Sequence, residues 1–135
     1  MARQTYVNLA IKDVTRSKEF FTHLGFAFEP RFSNENAACM IINESTFVML
    51  LAEPFFQTFT KKQICDAKTS TEVLVCLSCE SRAEVDSIVA AAVAAGGSIP
   101  REPEDRGFMY GHAFQDLDGH LWELIFMETS SDAPA

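Results

Sequence analysis

Glu123 lies in the run Leu121-Trp122-Glu123-Leu124-Ile125-Phe126, a carboxylate among large apolar residues. Removal from water raises the pKa of a carboxyl group, so in this setting Glu123 could serve as a general base or anchor a ligand amine. It could equally be a polar residue satisfied by a neighbour such as Tyr6 or Asn8. Of the three histidines, His23 falls on the solvent side of a helix and His120 at the start of a strand. His112 is in the middle of a strand and could face a cavity. Cys76 and Cys79 form a C-x-x-C, a spacing that on a helix serves zinc or redox chemistry. Here it lies in Val73-Leu74-Val75-Cys76-Leu77-Ser78-Cys79, which reads as a strand, and residues three apart on a strand point to opposite faces. No second pair with ligand spacing follows, so the two thiols are expected to be small buried residues. Asp116-Leu117-Asp118-Gly119 reads as a tight turn in which Asp116 bonds the turn amides and Gly119 takes a positive φ. That is punctuation, not chemistry.

The elements that must position these residues fall into a repeated order. Thr5–Ile11 alternates as a strand, with Val7, Leu9 and Ile11 on one face and Tyr6, Asn8 and Ala10 on the other. Asp13 caps a helix that runs to about Leu24 and carries Val14, Phe20, Phe21 and Leu24 on one side. Gly25 suits the position just past its end. Strands are expected over about Ala27–Phe32, Ala38–Ile42 and Thr46–Leu51, stopped by Pro54. In the connector, Phe55, Phe56 and Phe59 suit a short amphipathic helix. The order then begins again with a strand at Glu72–Cys79. Ser81-Arg82-Ala83-Glu84 is a capping box, and the helix it opens carries Val85, Ile88, Val89, Ala92 and Val93 and ends at Gly96-Gly97. Strands follow near Ser98–Ile99, Met109–Phe114 and His120–Phe126.

Sliding the second half back by about 68 residues superposes strand, cap, helix and terminal glycine. Tyr6 then falls on Leu74, and Asp13 on Ser81. The pattern predicts an α+β chain of two paired βαβββ modules whose curved mixed sheets enclose a concave cavity. Module 1 spans about 3–53, a connector 54–70 and module 2 about 71–128, in a single domain over 1–129 with a flexible tail at 130–135. Val7, Leu9, Ile11, Val73, Val75 and Leu77 should pack under the helices. Tyr6, Asn8, Leu74, Cys76 and Ser78 should line the hollow, a typical setting for a small ligand.

Composition narrows the function classes. The 135 residues are 47% hydrophobic and include 12 Phe, enough for a dense core or an apolar cavity. A net charge of −8 without a basic stripe argues against nucleic acid and anionic membrane surfaces. Met1-Ala2-Arg3-Gln4 leads straight into a strand without a signal-peptide core, and the longest apolar run, Ile88 to Ala95, is too short to span a bilayer. A cytoplasmic location with Cys39, Cys65, Cys76 and Cys79 as free thiols follows as the expectation.

Three segments resemble the glyoxalase/bleomycin-resistance/extradiol dioxygenase (vicinal oxygen chelate) superfamily. The first is Val7-Asn8-Leu9-Ala10-Ile11-Lys12-Asp13-Val14 with Ser17-Lys18-Glu19-Phe20-Phe21 and Leu24-Gly25-Phe26. The second is Tyr110-Gly111-His112-Ala113-Phe114-Gln115-Asp116-Leu117-Asp118-Gly119-His120, and the third, Leu121-Trp122-Glu123-Leu124, follows it directly. The resemblance covers essentially the whole chain and implies paired βαβββ modules and a homodimer. It also implies metal ligands at four positions on the first and last strands of the modules. In this chain those positions hold Tyr6, Met49, Leu74 and Glu123, and only Glu123 is of a ligand type. Neither a metal nor another cofactor is therefore expected.

The resulting expectation is a glyoxalase-like protein that binds a small apolar or aromatic molecule, with Tyr6, Asn8, Phe47, Met49, Leu74, Phe108, Tyr110 and His112 as ligand-binding residues and Glu123 as the catalytic candidate. Arg101, Arg106 and the segment 102–107 would form a flexible rim. The charge of −8 would suit a cationic ligand. The alternatives are a metal-dependent lyase, isomerase or dioxygenase with altered ligands, such as Glu123 and His112, and a structural or regulatory dimer.

Overall fold

The computed structural model describes residues 3–128. The tail expected at 130–135 lies outside the described residues. The chain divides between Cys65 and Asp66 into two compact units, each carrying one four-stranded mixed sheet.

In the first unit β1 (Thr5–Ile11) is followed by α1 (Val14–His23) and then by β2 (Ala27–Phe28), β3 (Ala37–Ile41) and β4 (Thr46–Ala52). The sheet order is β1-β4-β3-β2, with β1 parallel to β4 and the other pairs antiparallel. A parallel pair needs a crossover, and α1 supplies it. The helix starts where expected: the Asp13 carboxylate accepts the amide of Arg16 at 3.0 Å. It ends at Gly25, whose φ of +102° is open to glycine. Ser17, Phe20, Phe21 and Leu24 are buried, over a sheet face that buries Leu9, Ile11, Ala38, Met40, Val48 and Leu50. Phe20 and Phe21 meet edge to face with centroids 4.9 Å apart. Each large apolar side chain buried in this way contributes about 1.5–3 kcal/mol.

The strand expected over Ala27–Phe32 stops at Phe28. Pro30 has no N–H to give a ladder, and Pro30–Phe32 instead form a 3₁₀ turn capped by Glu29, whose carboxylate also forks with the Arg31 guanidinium. After β4, α2 (Glu53–Phe56) carries Pro54 in its first turn and runs into a 3₁₀ turn at Gln57–Phe59. Phe55 packs edge to face on Phe59, as the connector's spacing suggested, although Phe59 stays exposed.

The second unit repeats the first. β5 (Leu74–Ser78), α3 (Arg82–Ala94), β6 (Glu104–Asp105), β7 (Met109–Gln115) and β8 (Leu121–Met127) form a sheet of order β5-β8-β7-β6, again with a parallel first pair. Both units are therefore βαβββ modules. Ser81 accepts the amide of Glu84 at 3.0 Å, and the Glu84 carboxylate reaches back to the amide of Glu80. Val85, Val89 and Ala92 are buried on α3, and Phe114, Trp122 and Leu124 on the strands it covers. Phe114 and Trp122 are parallel, with centroids 6.1 Å apart.

Two expectations are corrected here. Ser98 makes an isolated bridge to Gln115 in place of a strand at Ser98–Ile99. The second strand of the module is instead β6, inside the segment expected to be a flexible rim. That segment is tied down. Arg82 forks onto Asp105 at 2.7 and 3.2 Å, reaches the carbonyl of Gly107 at 3.0 Å and lies over the Tyr110 ring. Among the described residues no helix is long and apolar enough to cross a membrane.

Candidate functional site

Residues directly opposite each other across a ladder share a face, so the pairing register shows which side chains turn away from the helix. In the second unit these are Leu74, Cys76 and Ser78 on β5, opposite Leu121, Glu123 and Ile125 on β8. Ala113 and Gly111 of β7 continue the row beside Glu123 and Ile125. Leu74 is 51% exposed, whereas Leu77 and Leu124 point to the helix side and Leu124 is fully buried. The alternation expected for this strand is therefore present, except that Val73 precedes the strand and is exposed.

Glu123 is not an isolated carboxylate. Its Oε2 accepts from the guanidinium of Arg101 at 3.0 Å, and a second arm of Arg101 donates to the carbonyl of Glu102 at 3.3 Å. The side chains are 40% and 29% exposed, so the pair is accessible but partly desolvated. Three residues before Arg101, Ser98 pairs antiparallel with Gln115 of β7, the strand that carries Ala113 opposite Glu123. The phenol of Tyr6, considered earlier as a partner for Glu123, donates to Gln4 at 3.1 Å.

Cys76 lies directly across from Glu123 and is exposed, and Cys79 is half-buried beyond the strand's end. Both were expected to be small buried residues, and Cys76 was also expected to line the hollow; it is on that face, but exposed. Burial pushes the Cys76 thiol up, the Glu123 carboxylate adds to the rise and Arg101 opposes it. Burial, with Glu84, Cys76 and Glu80 nearby, pushes Cys79 up to about 11. Thiols held protonated in this way are poor nucleophiles at neutral pH.

In the first unit the face away from α1 carries Tyr6 and Asn8 on β1 opposite Phe47 and Met49 on β4. Tyr6 and Phe47 are stacked, with centroids 5.0 Å apart and planes 16° from parallel. Tyr6 is 46% exposed and Asn8 is exposed, while Phe47 and Met49 are half-buried. Farther along this face Ala37, Cys39 and Leu51 are buried.

The remaining candidates fall elsewhere. Tyr110 and His112 sit opposite Phe126 and Leu124, on the helix side of the second sheet. The Tyr110 hydroxyl donates to Asp86 of α3 at 2.6 Å. His112 is 8% exposed, and its Nδ1 accepts the amide of Ala113. Register therefore separates both from Glu123. Phe108 is exposed just before β7. His23 is exposed at the end of α1 and His120 directly precedes β8, as expected.

The four positions at which the family resemblance implies metal ligands do not fit a metal. Tyr6, Met49 and Leu74 offer no carboxylate, imidazole or thiolate, and the one carboxylate is committed to a guanidinium. Among the described residues no three of His, Cys, Asp and Glu gather as a ligand set.

Comparison with known proteins places the architecture. A hypothetical protein of S. aureus is 29% identical, with a TM-score of 0.77 over 93% of this chain and 95% of that one. A glyoxalase-related enzyme of Fulvimarina pelagi is 20% identical, with a TM-score of 0.79 over 99% and 96%. A genomically encoded fosfomycin resistance protein of Listeria monocytogenes is 18% identical, with a TM-score of 0.66 over 97% and 95%. At their level of identity the last two are alike in fold alone. No match was found among curated proteins. The Glyoxalase/Bleomycin resistance protein/Dioxygenase superfamily matches residues 3–124, nearly the whole chain, and the chain belongs to that superfamily.

Proposed function

We propose that this chain binds a small apolar or aromatic molecule on the faces of its sheets that turn away from the helices, without a metal, as a cytoplasmic homodimer. The observation that carries the reading is the ion pair between Arg101 and Glu123. It takes up the one carboxylate that the family positions offer and leaves around it a surface of apolar side chains, Leu74, Leu121 and Ile125. The stacked pair Tyr6 and Phe47 supports the same reading in the first unit, since an exposed aromatic face favours a flat apolar partner. Four free cysteines suit a reducing compartment.

The test is a thermal-shift panel of neutral, anionic and cationic aromatic compounds at millimolar concentration. A ligand that binds only the folded chain raises its melting temperature in proportion to ligand excess. At least one saturable hit, lost when Leu74 is replaced by Asp, is the expected result. A panel without a hit contradicts the reading.

A further inference from the structure

We propose that Arg101 is the recognition group of the second sheet and that it takes the carboxylate of a small organic acid with an apolar body. The inference rests on the small-molecule reading above and adds the chemical class. Arg101 uses one arm on Glu123 and one on the carbonyl of Glu102, and its other N–H groups have no partner among the described residues. A planar fork with unused donors matches a carboxylate, which can accept two parallel bonds. Glu123 holds the guanidinium in place, so little of its freedom is left to be lost when a ligand arrives. The leucines and Ile125 on the same face give the body of the acid an apolar seat.

The same geometry disfavours a cation. An incoming ammonium at Glu123 would sit beside the Arg101 guanidinium and be repelled by it, and the other carboxylate on this face, Glu104 opposite Gly111, is paired with Arg106. The net charge of −8 acts at longer range and is screened over about 8 Å at physiological salt, so the local fork decides the contact. On this proposal the head group is set by the local fork, and not by the overall charge that would suit a cationic ligand.

Phenylacetate, phenylacetamide and 2-phenylethylamine share a body and differ in head group. Titrated against the full chain and followed by NMR, phenylacetate should bind about tenfold more tightly than the amide. It should also move the Arg101 Nε–H resonance. R101Q should erase that preference, R101K should keep part of it, and E123Q, which leaves an amide oxygen to hold the guanidinium, should keep it. If E123Q abolishes binding while R101Q strengthens 2-phenylethylamine, Glu123 is the recognition group and the proposal is wrong. If the amide and the acid bind equally and R101Q changes neither, Arg101 selects nothing and the proposal falls while small-molecule binding stands. Hits in the wider panel that include no carboxylate have the same meaning. An empty panel overturns both readings.

Discussion

The indole N–H of Trp122 donates to Oδ2 of Asp116 at 3.0 Å, and Oδ1 of the same carboxylate accepts the amides of Asp118 and His120, also at 3.0 Å. One buried side chain thus fixes both the turn between β7 and β8 and the largest side chain of the second core. Burial pushes the Asp116 carboxyl up, against the opposing effects of His120 and the donated bonds.

Replacing Asp116 by Ala leaves the indole and two turn amides without their acceptor in a site that is 6% exposed. The expected loss is roughly 2–4 kcal/mol, because each buried polar group left unpaired costs about 1–3 kcal/mol. D116N keeps an oxygen for the amides but turns an NH₂ toward the indole, so it should recover only part of the loss. Urea unfolding of the two variants checks the ranking, and D116N as stable as the parent would contradict it.

Gly119 and Gly25 both have positive φ, yet they should respond differently to Ala. At Gly25 nothing lies within 4 Å of the added carbon, so only conformational strain is felt, about 1–2 kcal/mol. At Gly119 the carbon would lie 2.8 Å from the amide nitrogen of Lys68 and 2.9 Å from the carbonyl of Ala67. These are backbone atoms and cannot swing aside. G119A should therefore lower the melting temperature well beyond G25A, and equal shifts would mean that the 67–68 backbone gives way freely.

Much of this fold was legible because local signals and packing agree. Asp13 and Ser81 precede apolar stripes, Gly25 and Gly96 follow them, and the sheets alternate around Leu9, Ile11, Val75 and Leu77. The misread strands are the short ones. β2 and β6 hold two residues each and have no period to read, and Pro30 redirects the chain after Phe28. The site was legible only by face. Tyr6, Asn8 and Leu74 turn away from the helices as alternation requires, and the same alternation counted from Glu123 through its pairing would have put His112 on the other side. The link between Arg101 and Glu123 is a contact between separate segments, 22 residues apart, that leaves no periodic trace.

Cys79 should dominate the alkaline behaviour of the second unit. In the folded chain its thiol keeps its proton up to about 11, whereas its ordinary value is 9.0. As pH rises the unfolded chain therefore loses this proton first. The stabilising effect is whole below about pH 9 and is lost as pH approaches 11. C79A should flatten the fall in stability across that window. In the native protein, iodoacetamide should label exposed Cys65 at neutral pH well before Cys79. Rapid neutral-pH labelling of Cys79 would contradict a half-buried thiol held protonated.

That Glu123 serves a guanidinium and not a metal ion is our proposal. Its most direct test is metal binding by the stripped protein, offered Ni²⁺, Zn²⁺, Mn²⁺ and Fe²⁺ in turn, with retained metal measured by mass spectrometry alongside the melting temperature. No stoichiometric retention and no stabilisation are expected, in the parent chain and in E123A alike. About one ion per chain, with a raised melting temperature and loss of both in E123A, would contradict it and would put metal-dependent chemistry at this site.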